Sequence, residues 1–87
     1  MSALRLPCIV PGCHRTIGQR KGKPPIQVGD EWICGRHWQG VPKAKRQRLA
    51  RYRRRAKRDP RWRRPFWKMW DRCKDAAIQE AFMGIEL

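Results

Sequence analysis

Two short pairs of soft ligands dominate the first half of this chain: Cys8-Ile-Val-Pro-Gly-Cys13 and, twenty residues later, Cys34-Gly-Arg-His37. Within each pair the two side chains are near enough to reach one ion. Between the pairs the chain is long enough for that ion to pin two remote pieces together. This layout predicts a tetrahedral Zn²⁺ site. Three thiolates and one imidazole fill its four positions. The expected ion is therefore one structural zinc on Cys8, Cys13, Cys34 and His37, with no vacancy for a substrate or a catalytic water.

At 87 residues the chain has room for one domain, and domains this small often depend on a metal, disulfides or a partner. Structural zinc contributes roughly 10–16 kcal/mol of apparent binding free energy in finger peptides, against about 5–15 kcal/mol of total stability in ordinary domains. Folding of the first half is expected to depend on the metal. The alternative is two disulfides among Cys8, Cys13, Cys34 and Cys73. Against it, the N-terminus lacks an apolar secretory stretch, one ligand position is a histidine, and Cys73 stands far from the rest. Reduced, metal-bound cysteines imply a cytoplasmic, nucleoid-associated location. No apolar run approaches the ~20 residues of a membrane span, so no membrane partner is expected.

Charge is the second constraint. Lys and Arg number 22 against seven acids, a formal +15. Residues 43–68 hold fourteen of the cations and a single acid, Asp59, whereas residues 71–87 carry two cations and four acids. A basic middle followed by a nearly neutral end points to one segment that faces a polyanion. A merely solvated face would mix signs more evenly.

Residues 1–7 read as an arm leading into the site, and Pro11-Gly12 as a turn that aims both thiolates inward. His14 follows Cys13 directly and competes as a ligand, although adjacent residues seldom face one ion; a surface or phosphate-contacting histidine is the blander reading. Residues 15–24, with Arg15, Arg20, Lys21 and Lys23, form an exposed basic loop, either a connector or a partner contact. Ile26-Gln27-Val28 and Glu31-Trp32-Ile33 flank Gly29-Asp30, which predicts a β-hairpin with a type II′ turn. In that register Ile26, Val28 and Ile33 share the inner face, and Trp32 covers the other as packing rather than as a platform for bases. Cys34 and His37, three apart, share one face of a single helical turn.

A knuckle, a hairpin and two ligands at a helix start resemble a treble-clef zinc finger over residues 6–55. The four residues between Cys8 and Cys13, where that group usually has two, depart from its pattern. So does Gly40-Val41-Pro42, which should interrupt the helix after His37. The chain is also similar to short basic zinc proteins of phages and prophages. Some treble-clef proteins are HNH-type endonucleases, but those need a metal-activating histidine with a further His or Asn nearby. This chain has two histidines and no Asn, so no enzymatic role is expected.

From Pro42, a good first helical residue, Lys43 to Arg58 runs without Gly or Pro and is rich in helix formers. Val41, Leu49, Tyr52 and Ala56 gather within about 80° of a wheel with ~3.6 residues per turn. That narrow stripe can dock the helix while the rest stays cationic. Like charges at i, i+4 (Arg51/Arg55, Arg54/Arg58) disfavour it in isolation, so it should firm up on a polyanion. Asp59 and Pro60 mark a break, with Asp59 as N-cap and Pro60 at the first position. Pro65 then starts or kinks a last helix to about Met83, with Gly84 as its stop. There Phe66, Met69, Trp70, Cys73, Ala77 and Ala81 make one apolar face, with Cys73 a small hydrophobe in the core. Trp67, Ile78 and Phe82 make a second stripe, either covered within the fold, the favoured reading, or met by another protein or a second copy.

The expected architecture is thus a small α+β zinc-stabilised domain: knuckle and hairpin over residues 1–41, basic helix and aromatic-rich helix over 42–87, packed as one. The expected function is non-catalytic nucleic-acid binding in a regulatory or accessory role, DNA favoured over RNA. Phosphates would meet Lys43, Lys45, Arg46, Arg48, Arg51, Arg53, Arg54, Arg55, Lys57, Arg58, Arg61, Arg63 and Arg64. A basic helix fits a major groove, and Tyr52, Trp62 and Trp67 are available to stack on unpaired bases. The alternative is a small inhibitor or adaptor that grips an acidic protein surface through Trp and Arg anchors.

Overall fold

A computed structural model describes residues 4–83. The Val10-Pro11-Gly12-Cys13 turn sets the shape of the N-terminal part. Cys13 N–H donates to the Val10 carbonyl (3.1 Å), Pro11 has its φ fixed by its ring, and Gly12 takes a φ of +83°. Proline then glycine at the two central positions, with positive φ at the second, is the chemistry of a type II turn. The chain doubles back and two short strands pair antiparallel, β1 (Leu6–Pro7) and β2 (Thr16–Ile17), with Leu6 opposite Ile17 and Pro7 opposite Thr16. Cys8 N–H extends the ladder to the Arg15 carbonyl at 3.0 Å.

The hairpin expected over residues 26–33 does not form. Strand pairing there would need the backbone donors that the local side chains take instead. Ile26 N–H donates to Gln19 Oε1 (2.8 Å) and Gln27 N–H to Asp30 Oδ2 (2.8 Å), just after Pro24 and Pro25, which have no N–H to give. Gly29, with φ +96°, occupies the second central position of a Gln27–Asp30 turn, one place later than a type II′ hairpin requires. Val28 is consequently 92 % exposed rather than in a core. Trp32 forms a bridge parallel to Cys8, with its carbonyl accepting from Ile9 N–H at 2.9 Å. The second ligand pair is thereby laid beside the first.

Three α-helices complete this α+β fold: α1 (Gly35–Trp38), α2 (Lys43–Arg58) and α3 (Arg63–Met83), with a 3₁₀ turn, Pro60–Trp62, between the last two. As expected, the Gly40-Val41-Pro42 stretch ends α1. Pro42 is the N-cap of α2 rather than its first residue, and its carbonyl accepts from Lys45 and Arg46. Asp59 caps the 3₁₀ turn by accepting from Arg61 N–H at 3.0 Å. Pro65 does not start α3, which begins two residues earlier; it lies in the first turn, where its missing N–H has no partner to lose. Gly84, the expected stop, lies outside the described residues.

One core joins the two halves. Val10, Ile33 and Val41 from the first part meet Leu49 of α2 and Met69, Cys73 and Ala77 of α3. The inward spacing of Met69, Cys73 and Ala77 follows from 3.6 residues per turn. Cys73 is fully buried, and burial pushes its thiol above the ordinary range while the Lys45 charge pulls it down. Trp38 and Trp70 pack with ring centroids 6.4 Å apart and hold α1 on α3. Glu31 clasps the loop after β2 to α3: it accepts from Trp70 Nε1 (3.1 Å) and from Lys74 Nζ (2.8 Å). Hydrogen bonding to Glu31 raises the Lys74 ammonium above its usual value. The molecule is flattened, measuring 45 × 39 × 18 Å.

The second apolar stripe of α3 is divided. Ile78 is half-buried against the core, whereas Trp67 and Phe82 are 57 % and 56 % exposed. Covering within the fold therefore accounts for Ile78 alone.

Candidate functional site

The turn at Val10–Cys13 and the N-terminus of α1 bring Cys8, Cys13, Cys34 and His37 together, with all four ligand atoms within 4.8 Å of one another. Cys8 and Cys34 are buried, Cys13 and His37 half-buried. All four cysteines of the chain are free thiols. His37 Nδ1 lies 3.5 Å from Cys8 Sγ and 3.2 Å from Cys34 Sγ, and Cys13 Sγ lies 3.9 Å from Cys34 Sγ. A tetrahedral ion about 2.3 Å from sulfur and about 2.0 Å from nitrogen would set these edges at about 3.8 Å for S···S and about 3.5 Å for S···N. The polyhedron is the right size for a metal ion, and the donor set can hold one. His14 is exposed and stands outside it.

The surroundings favour thiolate at one corner. Burial acts to raise the Cys34 thiol. Backbone donors from His37 and Arg36 and the neighbouring Cys8 and Cys13 thiols outweigh burial and hold it below its ordinary value. Cys8 is pushed up, chiefly by burial, although the backbone groups of Cys34 and Val10 oppose that. Cys34 N–H points at Cys8 Sγ from 3.4 Å, the kind of donor that steadies a coordinated sulfur.

The cations form the second feature. Of the thirteen named from the sequence, eleven are exposed, and Lys45 and Arg46 are half-buried. Arg46 Nε donates to the Val41 carbonyl at 3.0 Å and so ties α2 to the end of the part that carries the Cys/His cluster. Arg61 is paired with Asp59 at 2.9 Å, the one member of the set with a carboxylate partner among the described residues. That guanidinium and the Arg61 N–H hold the Asp59 carboxyl below the usual carboxylate range. On a helical wheel of 3.6 residues per turn, Arg51, Arg54 and Arg58 fall opposite Leu49. Since Leu49 is buried, these three point away from the protein.

Two of the three aromatics available for base stacking are used by the fold. The Tyr52 and Trp62 rings pack on each other with centroids 5.4 Å apart, and Arg55 covers Trp62 at 4.6 Å. Two further cations, Lys68 and Arg72 on α3, join Arg48 around a shallow hollow beside Tyr52. Sequence reasoning named neither as a contact; the i, i+4, i+8 spacing of Arg64, Lys68 and Arg72 on one helix face is the signal that would have found them. Among the described residues, no helix is long and apolar enough to cross a membrane. Compared with protein-family models, curated proteins and solved structures, the chain matches none.

Proposed function

We propose that this chain is a zinc-stapled, non-catalytic nucleic-acid-binding module of the nucleoid, DNA favoured over RNA, that holds phosphates on the outward face of α2 and the turn that follows it. The observation that carries this reading is the exposed cationic surface over residues 43–64, in which, among the described residues, only Arg61 faces a carboxylate. Guanidinium groups displayed along a helix neutralise phosphates and release counterions, which gives affinity independent of sequence.

Zinc is the ion this donor set suits, because three thiolates and an imidazole select a soft, tetrahedral divalent metal. Cys8, Cys13, Cys34 and His37 would fill its coordination sphere, so its contribution is to fold the first half. A treble-clef kinship fits the knuckle and the ligand-bearing helix, without the second hairpin.

The test is titration of the zinc-loaded protein into labelled duplex DNA across a salt series. Contact with six to ten phosphates makes the affinity drop about 10³–10⁵-fold between 50 and 200 mM salt. No binding at physiological salt would reject the reading. A second reading, an adaptor for an acidic protein surface, draws on the exposure of Trp67 and Phe82. Partners captured from lysate that survive nuclease treatment and moderate salt would favour it.

A further inference from the structure

The loop after β2 and the first turns of α3 enclose a cleft of about 350 Å³, near the lower bound of about 300–1,000 Å³ for small-ligand sites. Its aromatic wall is Trp32, Phe66, Trp67 and Trp70, and its cations are Arg20, Lys23 and Arg53. Asp30 and Glu31 also line it: Glu31 is paired with Lys74 and held by Trp70, while Asp30 accepts from Gln27 N–H through one oxygen, so three cations face one carboxylate that has no cationic partner among the described residues. The three cations have no carboxylate partner among the described residues. Trp67 and Phe66 meet edge to face, 5.0 Å between centroids, and Arg53 lies 5.7 Å from the Phe66 ring. Trp67 also borders a second hollow, with Lys57 and Arg63. An exposed indole thus stands between two recesses, with cations on both sides.

We infer that this cleft takes an unpaired base of a nucleic-acid strand, stacked on Trp67, with the flanking phosphates on Arg53, Lys57 and Arg63. This rests on the nucleic-acid reading above and adds single strands as its target. Stacking on an aromatic ring beside a cationic track is how unpaired strands are held without regard to sequence. Base pairs buried in a duplex stack cannot present a face to Trp67. A second copy of this chain is a poor occupant, because each carries a formal +15 and like charge repels.

The experiment compares zinc-loaded wild type, Trp67→Ala and Trp67→Phe on three probes at one salt concentration: a thymine oligodeoxynucleotide, a uracil oligoribonucleotide and a blunt DNA duplex. Trp67→Ala should weaken binding of an unpaired strand about tenfold, the loss of one base–aromatic stack. Duplex affinity should be unchanged, and Trp67→Phe, which keeps a ring, should recover most of the loss. The sugar of the strand whose binding depends on Trp67 identifies the target. Equal losses on strand and duplex overturn the inference, as does no loss on either strand or a changed oligomeric state without loss of affinity. If wild type binds none of the probes, the proposed function itself fails. Duplex binding with strands indifferent to Trp67 removes only the cleft assignment.

Discussion

Cys34→Ala is expected to unfold the first half of the protein and abolish metal retention, while the helical signal of α2 and α3 persists in part. Cys34 is nearly fully buried, caps α1, lies beside His37 and Cys13, and donates its N–H to Cys8. Its loss removes one ligand and the residue that joins the two pairs. Among the described residues, the strands of the N-terminal part contain four residues in all, too few to stand alone. Apparent zinc affinity in finger peptides, roughly 10–16 kcal/mol, exceeds or matches the about 5–15 kcal/mol of an ordinary domain, so under the proposed zinc assignment the metal is expected to decide whether residues 6–41 fold. Chelation of wild type should give the same state. Near-ultraviolet circular dichroism is the readout, because Trp32 and Trp38 pack against the shared core and lose fixed surroundings. A spectrum unmoved by both treatments would show that the metal is dispensable.

The second large effect is expected from replacing Arg51, Arg54 and Arg58 together by Ala. All three are exposed on the face of α2 opposite buried Leu49. If each meets a phosphate, the log–log salt slope should shrink by about 2.7, at ~0.9 per contact on duplex DNA, and affinity at physiological salt should fall on the order of a hundredfold. The helix itself should become slightly more stable. Ala is the best helix former, and the like-charged pairs Arg51/Arg55 and Arg54/Arg58 each cost about 0.2–0.5 kcal/mol. Binding and stability thus move in opposite directions, which separates lost contact from lost fold. An unchanged salt slope would place the contact surface elsewhere.

The sequence made the ligand set legible because chelation leaves a spacing signature: Cys8/Cys13 and Cys34/His37 close on one point as expected. The extent of α2, the break at Asp59-Pro60 and the burial of Leu49 and Cys73 were legible for a related reason, since helical period and proline chemistry act locally. The strands were not. β-Alternation in Ile26–Ile33 is real as a pattern, but Gln19 and Asp30 side chains take the backbone donors that a ladder would use. The pairing that does form, Leu6–Pro7 with Thr16–Ile17, contains a proline and too few residues to show periodicity. The division of the Trp67, Ile78 and Phe82 stripe was equally hidden, since spacing along one helix does not say which of its residues neighbouring elements cover. Nor does spacing say that Tyr52 and Trp62 pack on each other.

The most direct test of the central claim, that one ion on three sulfurs and one imidazole builds this scaffold, is cobalt titration of the chelator-stripped protein followed by visible absorption. The account predicts intense tetrahedral d–d bands with thiolate-to-cobalt charge transfer, saturation at one equivalent per chain, and bleaching when zinc is added. Weak octahedral bands, or no saturable signal at all, would contradict it.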